Sequence, residues 1–290
     1  MKYVTLNTGA KMPLEGFGAM MFAPEDASRA EEVVYAAIKA GYRLIDTAAS
    51  YMNEDAVGRA VKRAIKEKLV TREELFIVSK LWVQDMKNET TAMEAIENSL
   101  KNLDLEYIDL YLEHQAMGDY FAAWRAMEAA YKEEKLKAIG VANFYPHVLC
   151  NFCENVDVIP AVNQVEFHPF YTQELAISNM KNYGVTPMAW APLAEGKYGI
   201  FTDPDLVSIG EKYGKTAAQV ALKWNVQRGV IVIPKSSNPE RMAKNLDIWD
   251  FELTDEEMAL ISTKDKGHSE IIDHSNPEVV KMVLGMKIHN

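Results

Sequence analysis

Four polar side chains stand where consecutive predicted strands end. Asp46 and Tyr51 fall in the segment LIDTAASY, Lys80 in FIVSKLW and His114 at the end of DLYLEH. Stretches with helical periodicity separate these segments, so the strands are predicted to be parallel and to end at one edge of a sheet. We therefore expect the four side chains to converge on one rim, which is where α/β barrels carry their catalytic groups.

These residue types together can donate a proton beside a bound oxygen atom. The Tyr51 phenol has an ordinary pKa near 10, and a Lys80 ammonium at about 4 Å would favour the phenolate by about 4 kcal/mol, nominally about three pKa units. Asp46 would hold Lys80 in place and offset part of this effect. His114 could donate a hydrogen bond to a carbonyl oxygen and polarise it. The sequence has no Gly-x-Ser-x-Gly motif and no metal-binding histidine cluster, so hydride from a cofactor is the natural nucleophile.

Short apolar or β-branched runs alternate with amphipathic stretches along the whole chain. Eight strand candidates occur, and six of them precede one clear helix. This alternation predicts a (β/α)8 TIM barrel, with a hairpin in VTLNTGAKMP closing one end and residues 1–290 forming a single domain. Residues 19–26, 194–203 and the tail from 264 are predicted rim loops. An open doubly wound sheet is the alternative, but Gly16-Phe17-Gly18 lacks the third glycine of a dinucleotide fingerprint.

Charge and composition restrict the partners. The formal net charge is −11, so nucleic acid and anionic membrane surfaces would repel the chain as a whole. The first residues contain no leader-like apolar run, and nowhere do about 18 apolar residues stand together, so a cytoplasmic protein is expected. Cys150 and Cys153 have a C-x-x-C spacing; we expect two packed cysteines, with a functional thiol as the alternative, and no metal site.

One basic island stands out in this acidic chain. Ser237-Asn238-Pro239-Glu240 resembles a helix cap followed by a first-turn proline, which would point free backbone amides at an anion. Lys235, Ser236 and Arg241 add charge and hydrogen-bond donors beside it. A planar arginine fork suits a 2′-phosphate, which favours NADPH over NADH as the cofactor.

The motifs resemble those of the aldo-keto reductase family over nearly the whole chain. YRLIDTAASYMNE, IVSKLW and DLYLEHQ match its three catalytic segments, GVANF and PAVNQVEFHPF its nicotinamide segments, and IPKSSNPERMAKN its adenosine-phosphate segment. The resemblance implies a barrel that binds an extended nicotinamide cofactor. The resemblance also implies that Asp46 and Lys80 tune the general acid Tyr51 and that His114 orients the carbonyl. Asn143 and Gln164 would hold the carboxamide, and Trp190 would stack on the nicotinamide. Asn245 would contact the adenine, and Trp82 would lie at the substrate mouth.

The expected function is therefore NADPH-dependent reduction of aldehydes or ketones to alcohols, by a protein that is a monomer by default. Two alternatives stay open at this point. One is a redox sensor or regulatory subunit that binds the cofactor in the same fold, and the other is a barrel aldolase or isomerase using Lys80 as a Schiff-base amine.

Some positions depart from the family pattern or lie outside it. Ala142 stands where a serine usually contacts the carboxamide, which removes one hydrogen bond worth about 0.5–1.5 kcal/mol. Glu113 occupies a strand position that points toward the helices, where a carboxylate is expected to be paired or to reach solvent. His268 and His274 are expected to be solvated residues of a polar tail.

Overall fold

Eight parallel strands form the sheet at the centre of the chain. A computed structural model describes residues 1–20, 27–269 and 271–289. Neighbouring strands follow chain order. They are β3 (Phe17–Gly18), β4 (Leu44–Asp46), β5 (Phe76–Leu81), β6 (Leu110–Glu113), β7 (Ile139–Ala142), β8 (Val162–Glu166), β9 (Thr186–Trp190) and β10 (Ile231–Val232). The first and last meet through an isolated bridge between Glu15 and Val232, where Gly16 N donates to Val232 O at 2.8 Å. The predicted barrel is confirmed.

Helices surround these strands, and each barrel strand in the described chain is followed by at least one. They are α1 (Ala27–Ala40), α2 (Glu54–Lys66), α3 (Glu89–Leu103), α4 (Tyr120–Lys132), α5 (Pro146–Cys153), α6 (Glu174–Asn182), α7 (Pro204–Tyr213), α8 (Ala217–Gln227), α9 (Pro239–Leu246), α10 (Asp255–Ser262) and α11 (Pro277–Gly285). Residues 21–26 of the first predicted rim loop lie outside the described residues. No helix in the described part of the chain is both long and apolar enough to cross a membrane.

The N-terminal hairpin closes the end of the barrel at which the strands begin. It pairs β1 (Tyr3–Thr5) with β2 (Lys11–Pro13) in antiparallel fashion, as predicted. Leu6 and Met12 are buried with the inward-facing residues of the barrel strands, including Leu44 and Leu112. The hairpin therefore seals the barrel interior, and the opposite rim stays open for a site.

Strand periodicity divides the barrel residues between two apolar clusters. Val78, Leu110 and Leu112 pack inside the barrel, whereas Ile77 and Tyr111 belong to the cluster shared with the helices. Successive side chains of a strand point to opposite faces. Asp46, Lys80 and His114 each come two residues after an inward-facing residue of β4, β5 or β6. Their side chains therefore belong to the same inward-facing series.

Two expectations about buried and exposed groups were wrong. Glu113 is fully buried, and neither carboxylate oxygen has a hydrogen-bond partner among the described residues. Burial raises its pKa well above the ordinary value, with a further contribution from Asp119, so the side chain is a neutral acid. Of the two cysteines in α5, Cys153 is buried but Cys150 is exposed.

Candidate active site

A buried ammonium group lies at the centre of the rim. Lys80 has no exposed surface, and its Nζ donates to Asp46 Oδ1 at 2.6 Å, to Thr47 O at 2.8 Å and to Tyr51 Oη at 3.3 Å. Burial lowers the Lys80 pKa, but Asp46 and Tyr51 raise it by more, and the net shift is upward. The lysine is therefore charged. The convergence of Asp46, Tyr51 and Lys80 agrees with the sequence prediction.

The proton of Tyr51 is held more tightly than predicted. Burial raises its pKa above the ordinary value, and this effect exceeds the lowering by Lys80, part of which Asp46 cancels. The expectation of a lowered phenol pKa is thus wrong for this structure, because removing a phenolate from water raises the pKa by more than the attraction of Lys80 lowers it. Tyr51 is a protonated phenol with part of its surface still open.

His114 lies across the cleft from Tyr51. The two ring centroids are 5.7 Å apart, and Trp82 packs edge-on at 5.2 Å from the imidazole. Burial, then Lys80 and His274, lower the His114 pKa well below its ordinary value, so the ring is neutral. Nδ1 lies 3.2 Å from Ser50 Oγ. When Ser50 donates to Nδ1, the ring proton sits on Nε2, which is then a hydrogen-bond donor.

Short polar contacts fix the loop that carries Tyr51. Thr47 Oγ1 donates to Asn53 Oδ1 at 2.7 Å, and Asn53 Nδ2 donates to Ala19 O at 2.9 Å. Tyr51 itself ends a single helical turn, Ala49–Tyr51, between β4 and α2. The hydroxyl is thereby held at the end of Lys80 instead of moving with a free loop. Thr47 and Asn53 lie in the segment YRLIDTAASYMNE, but only the three-dimensional structure shows that they hold the loop in place.

The residues predicted to hold the nicotinamide form one connected group. Trp190 Nε1 donates to Asn143 Oδ1 at 2.9 Å, and Asn143 Nδ2 donates to the carbonyl oxygen of His114 at 3.0 Å. Gln164 Nε2 donates to Asp46 Oδ2 at 2.9 Å. The structure thus brings Asn143, Gln164 and Trp190 to the same rim as the four polar residues, and Gln164 contacts that set directly.

The predicted phosphate end lies at the start of α9. Asn238 caps the helix by accepting from Arg241 N at 3.1 Å, Pro239 occupies the first turn, and the Ser236 hydroxyl accepts from Asn238 N at 3.1 Å. Lys235 and Arg241 are exposed beside this cap. Asn245 is buried near the Tyr42 hydroxyl. Two cations, a hydroxyl and the positive end of the α9 dipole form a set that fits the phosphate groups of a dinucleotide.

The C-terminal tail covers the mouth of the cleft at Trp82. The indole Nε1 donates to Met286 O at 2.9 Å, and Gln84 Nε2 donates to His289 O at 2.8 Å. Trp82 is only 5% exposed. Its indole is therefore tightly packed as well as being next to His114.

His274 was missed as a residue near the site. It was expected to be solvated, yet its ring packs on Tyr145 and Trp190, with Nδ1 3.3 Å from the Tyr145 hydroxyl. Burial lowers its pKa. No periodicity signals this position, because His274 lies in the irregular stretch between α10 and α11, whose path is a tertiary feature. His268, in contrast, is exposed.

Comparison with known proteins gives consistent matches over most of the chain. The model of the Aldo/keto reductase family matches residues 16–266. A glyoxal reductase of Bacillus subtilis (strain 168) is 46% identical over 264 residues, covering 91% of this chain and 92% of the relative. A methylglyoxal reductase DkgA of Escherichia coli (strain K12) is 40% identical over 267 residues, covering 91% and 94%. A crystal structure of a Bombyx mori aldo-keto reductase in complex with NADP superimposes with a TM-score of 0.89 at 36% identity, covering 94% of this chain and 95% of that one.

Proposed function

The chain belongs to the aldo/keto reductase family and is an NAD(P)H-dependent carbonyl oxidoreductase, and we propose that Tyr51 is the general acid with which it reduces small aldehydes and ketones to alcohols. The observation that carries this assignment is the contact of one buried ammonium, Lys80, with both Asp46 and the Tyr51 hydroxyl. Cofactor chemistry needs a proton donor beside the carbonyl oxygen, and this phenol is one.

The proton step follows from the geometry of these side chains. When bound, a reduced nicotinamide supplies hydride to the carbonyl carbon. Tyr51 gives its proton to the carbonyl oxygen, and Lys80, 3.3 Å from the phenol oxygen, stabilises the phenolate that remains. Asp46 keeps Lys80 charged throughout. The neutral His114 donates a hydrogen bond to the same carbonyl oxygen, which orients the substrate and stabilises charge developing there.

Two groups of residues would hold the cofactor. Asn143, Gln164 and Trp190 stand beside the acid and would hold the nicotinamide end, although Ala142 offers no hydroxyl to the carboxamide. Lys235, Ser236, Asn238, Arg241 and Asn245 would hold the adenosine-phosphate end. The arginine and lysine in the second group support NADPH as the preferred cofactor, and the Bombyx mori relative was solved with NADP.

Small 1,2-dicarbonyl compounds are the substrates we propose to test first. Two relatives at 40–46% identity are named glyoxal reductase and methylglyoxal reductase. The cleft between Tyr51 and His114 is bordered by the indole of Trp82, which suits a compact substrate with one polar end. The Schiff-base alternative is disfavoured, because the net upward shift of the Lys80 pKa keeps the amine protonated and not nucleophilic.

Loss of the phenol hydroxyl tests the assignment. Protein mixed with NADPH and glyoxal, methylglyoxal or a simple monoaldehyde should consume the nicotinamide absorbance. Tyr51→Phe should lower kcat by roughly a hundredfold or more, the usual contribution of a positioned acid, with NADPH affinity retained. Tyr107→Phe is the matched control, because Tyr107 precedes β6 at the closed end of the barrel and contacts Arg72 and Lys137 there.

Two results would contradict the proposal. If the wild-type protein turns over none of these carbonyls, it is not a reductase of small carbonyls. If Tyr51→Phe loses NADPH binding but keeps its kcat, the tyrosine contributes to cofactor binding instead of proton transfer.

A further inference from the structure

Closure of the barrel brings the end of β3 against the segment that leads to the phosphate end of the cofactor site. Gly18 N, at the end of β3, donates to Pro234 O at 3.3 Å. A Cβ atom on Gly18 would lie 2.9 Å from Ile233 O and 3.8 Å from the Lys235 Cβ. Helix α1, which follows β3, packs against α9, the helix at whose start Lys235 and Arg241 lie. The first turn of α1 therefore belongs to the same corner of the rim.

Arg29 occupies that first turn and has an unneutralised charge. It is exposed and makes no ion pair or hydrogen bond with any of the described residues. The next two acids of α1 are engaged elsewhere: Glu31 pairs with Arg59 at 2.7 Å and Glu32 with Arg63 at 2.6 Å, both across to α2. No acid of this helix in the described chain thus compensates Arg29.

The charge of Arg29 affects the pKa of Lys235. Partial burial lowers the Lys235 pKa, and Arg29 and then Arg241 lower it further. Lys235 therefore lies close enough to Arg241 and to Arg29, in a separate part of the chain, for both cations to repel it in a protein whose net charge is −11. Such an arrangement costs free energy in the unliganded protein, and a bound anion would relieve it.

We infer that Arg29 binds a phosphate group of the nicotinamide cofactor as a third cation beside Lys235 and Arg241. The inference rests on the proposed function, because it adds a specificity residue to the same cofactor site. A guanidinium presents paired N–H donors that match phosphate oxygens. The ligand group is either the 2′-phosphate, which NADPH alone carries, or the diphosphate that NADPH and NADH share.

Binding measurements with two cofactors test this role without catalysis. Dissociation constants for NADPH and NADH are measured by quenching of tryptophan fluorescence for the wild type, Arg29→Gln and Arg29→Lys. Arg125→Gln is the control, because Arg125 is an exposed arginine of α4 that pairs with Glu89 away from this corner. Thermal unfolding of each variant verifies that it is folded.

We expect Arg29→Gln to weaken NADPH binding by roughly twofold to fivefold, the range for one exposed ion pair, and Arg29→Lys to recover most of the affinity. A loss confined to NADPH assigns the 2′-phosphate as the partner, and an equal loss for both cofactors assigns the diphosphate. The effect should shrink at high salt, because the pair is exposed.

Two outcomes would overturn the inference. One is unchanged affinity of Arg29→Gln for both cofactors, and the other is a loss equal to that of Arg125→Gln, which would indicate only the change in net charge. A wild-type protein that binds neither cofactor is a different result, because it removes the proposed function itself.

Discussion

Replacing Glu113 with glutamine should make the stability of this protein less sensitive to pH. The side chain lies at the end of β6 on the face toward the helices, next to His114 in sequence. It is fully buried, and both carboxylate oxygens lack a hydrogen-bond partner within the described chain. Burial, followed by the charge of Asp119, raises its pKa well above the ordinary value. Glu113→Gln keeps the shape of the side chain and removes its titration.

The sign of the effect follows from proton binding. An unfolded glutamate loses its proton near pH 4.3, whereas folded Glu113 keeps it to a much higher pH. Its contribution to stability is therefore intact below about pH 4.3 and declines as pH rises, by about 1.4 kcal/mol per pH unit, until pH passes the folded pKa. Glutamine has no such dependence. The free energy of unfolding of the variant, relative to wild type, should thus increase with pH above about pH 5 and level off once the pH passes the folded pKa.

Urea unfolding at about pH 5, 6, 7 and 8 measures this difference, provided that the m values stay equal. Glu106→Gln is the control, because it makes the same chemical change at an exposed glutamate just before the same strand. A difference between Glu113→Gln and wild type that is constant over this range would refute the reasoning. It would mean that the carboxyl group has the same pKa in the folded and unfolded protein.

Two further substitutions test the buried ion pair and the helix at the phosphate end. Asp46→Asn removes the carboxylate 2.6 Å from Lys80 and leaves a buried charge without its partner. We expect a loss of roughly 3–5 kcal/mol in the free energy of unfolding, measured with urea, and a fall in kcat. An unchanged urea midpoint would contradict the buried ion pair. Asn238→Ala removes the cap of α9. It should lower the free energy of unfolding by roughly 1 kcal/mol and weaken NADPH binding measured by fluorescence. Unchanged NADPH affinity would show that the cap is not part of the cofactor site.

The position of the polar set could be predicted because it depends on local patterns alone. Asp46, Lys80 and His114 continue the inward-facing series of three neighbouring strands, and parallel pairing brings strand ends to one rim. The cap at Asn238 and Pro239 is likewise a local signal, and α9 begins there. These features need no knowledge of distant parts of the chain.

Features that depend on distant segments were not predicted. The same alternation correctly places Glu113 on the helix-facing side, but the absence of a partner there depends on what the surrounding helices present. The contacts of His274 with Tyr145 and Trp190 depend on the path of an irregular tail. The Tyr51 pKa was misjudged because the depth of burial, which decides between desolvation and the attraction of Lys80, is a property of the closed barrel.

The contacts of Lys80 also determine what Tyr51 can do. An ammonium has three N–H donors, and those of Lys80 have three acceptors: Asp46 Oδ1, Thr47 O and Tyr51 Oη. The phenol oxygen therefore receives a hydrogen bond from the buried lysine, and its own proton stays available for a group bound in the cleft. Of the three acceptors only Tyr51 has a proton to give, so the arrangement that satisfies a buried charge also orients the acid. Since desolvation raises the Tyr51 pKa, this orientation, more than increased acidity, is what the buried lysine contributes before the proton moves.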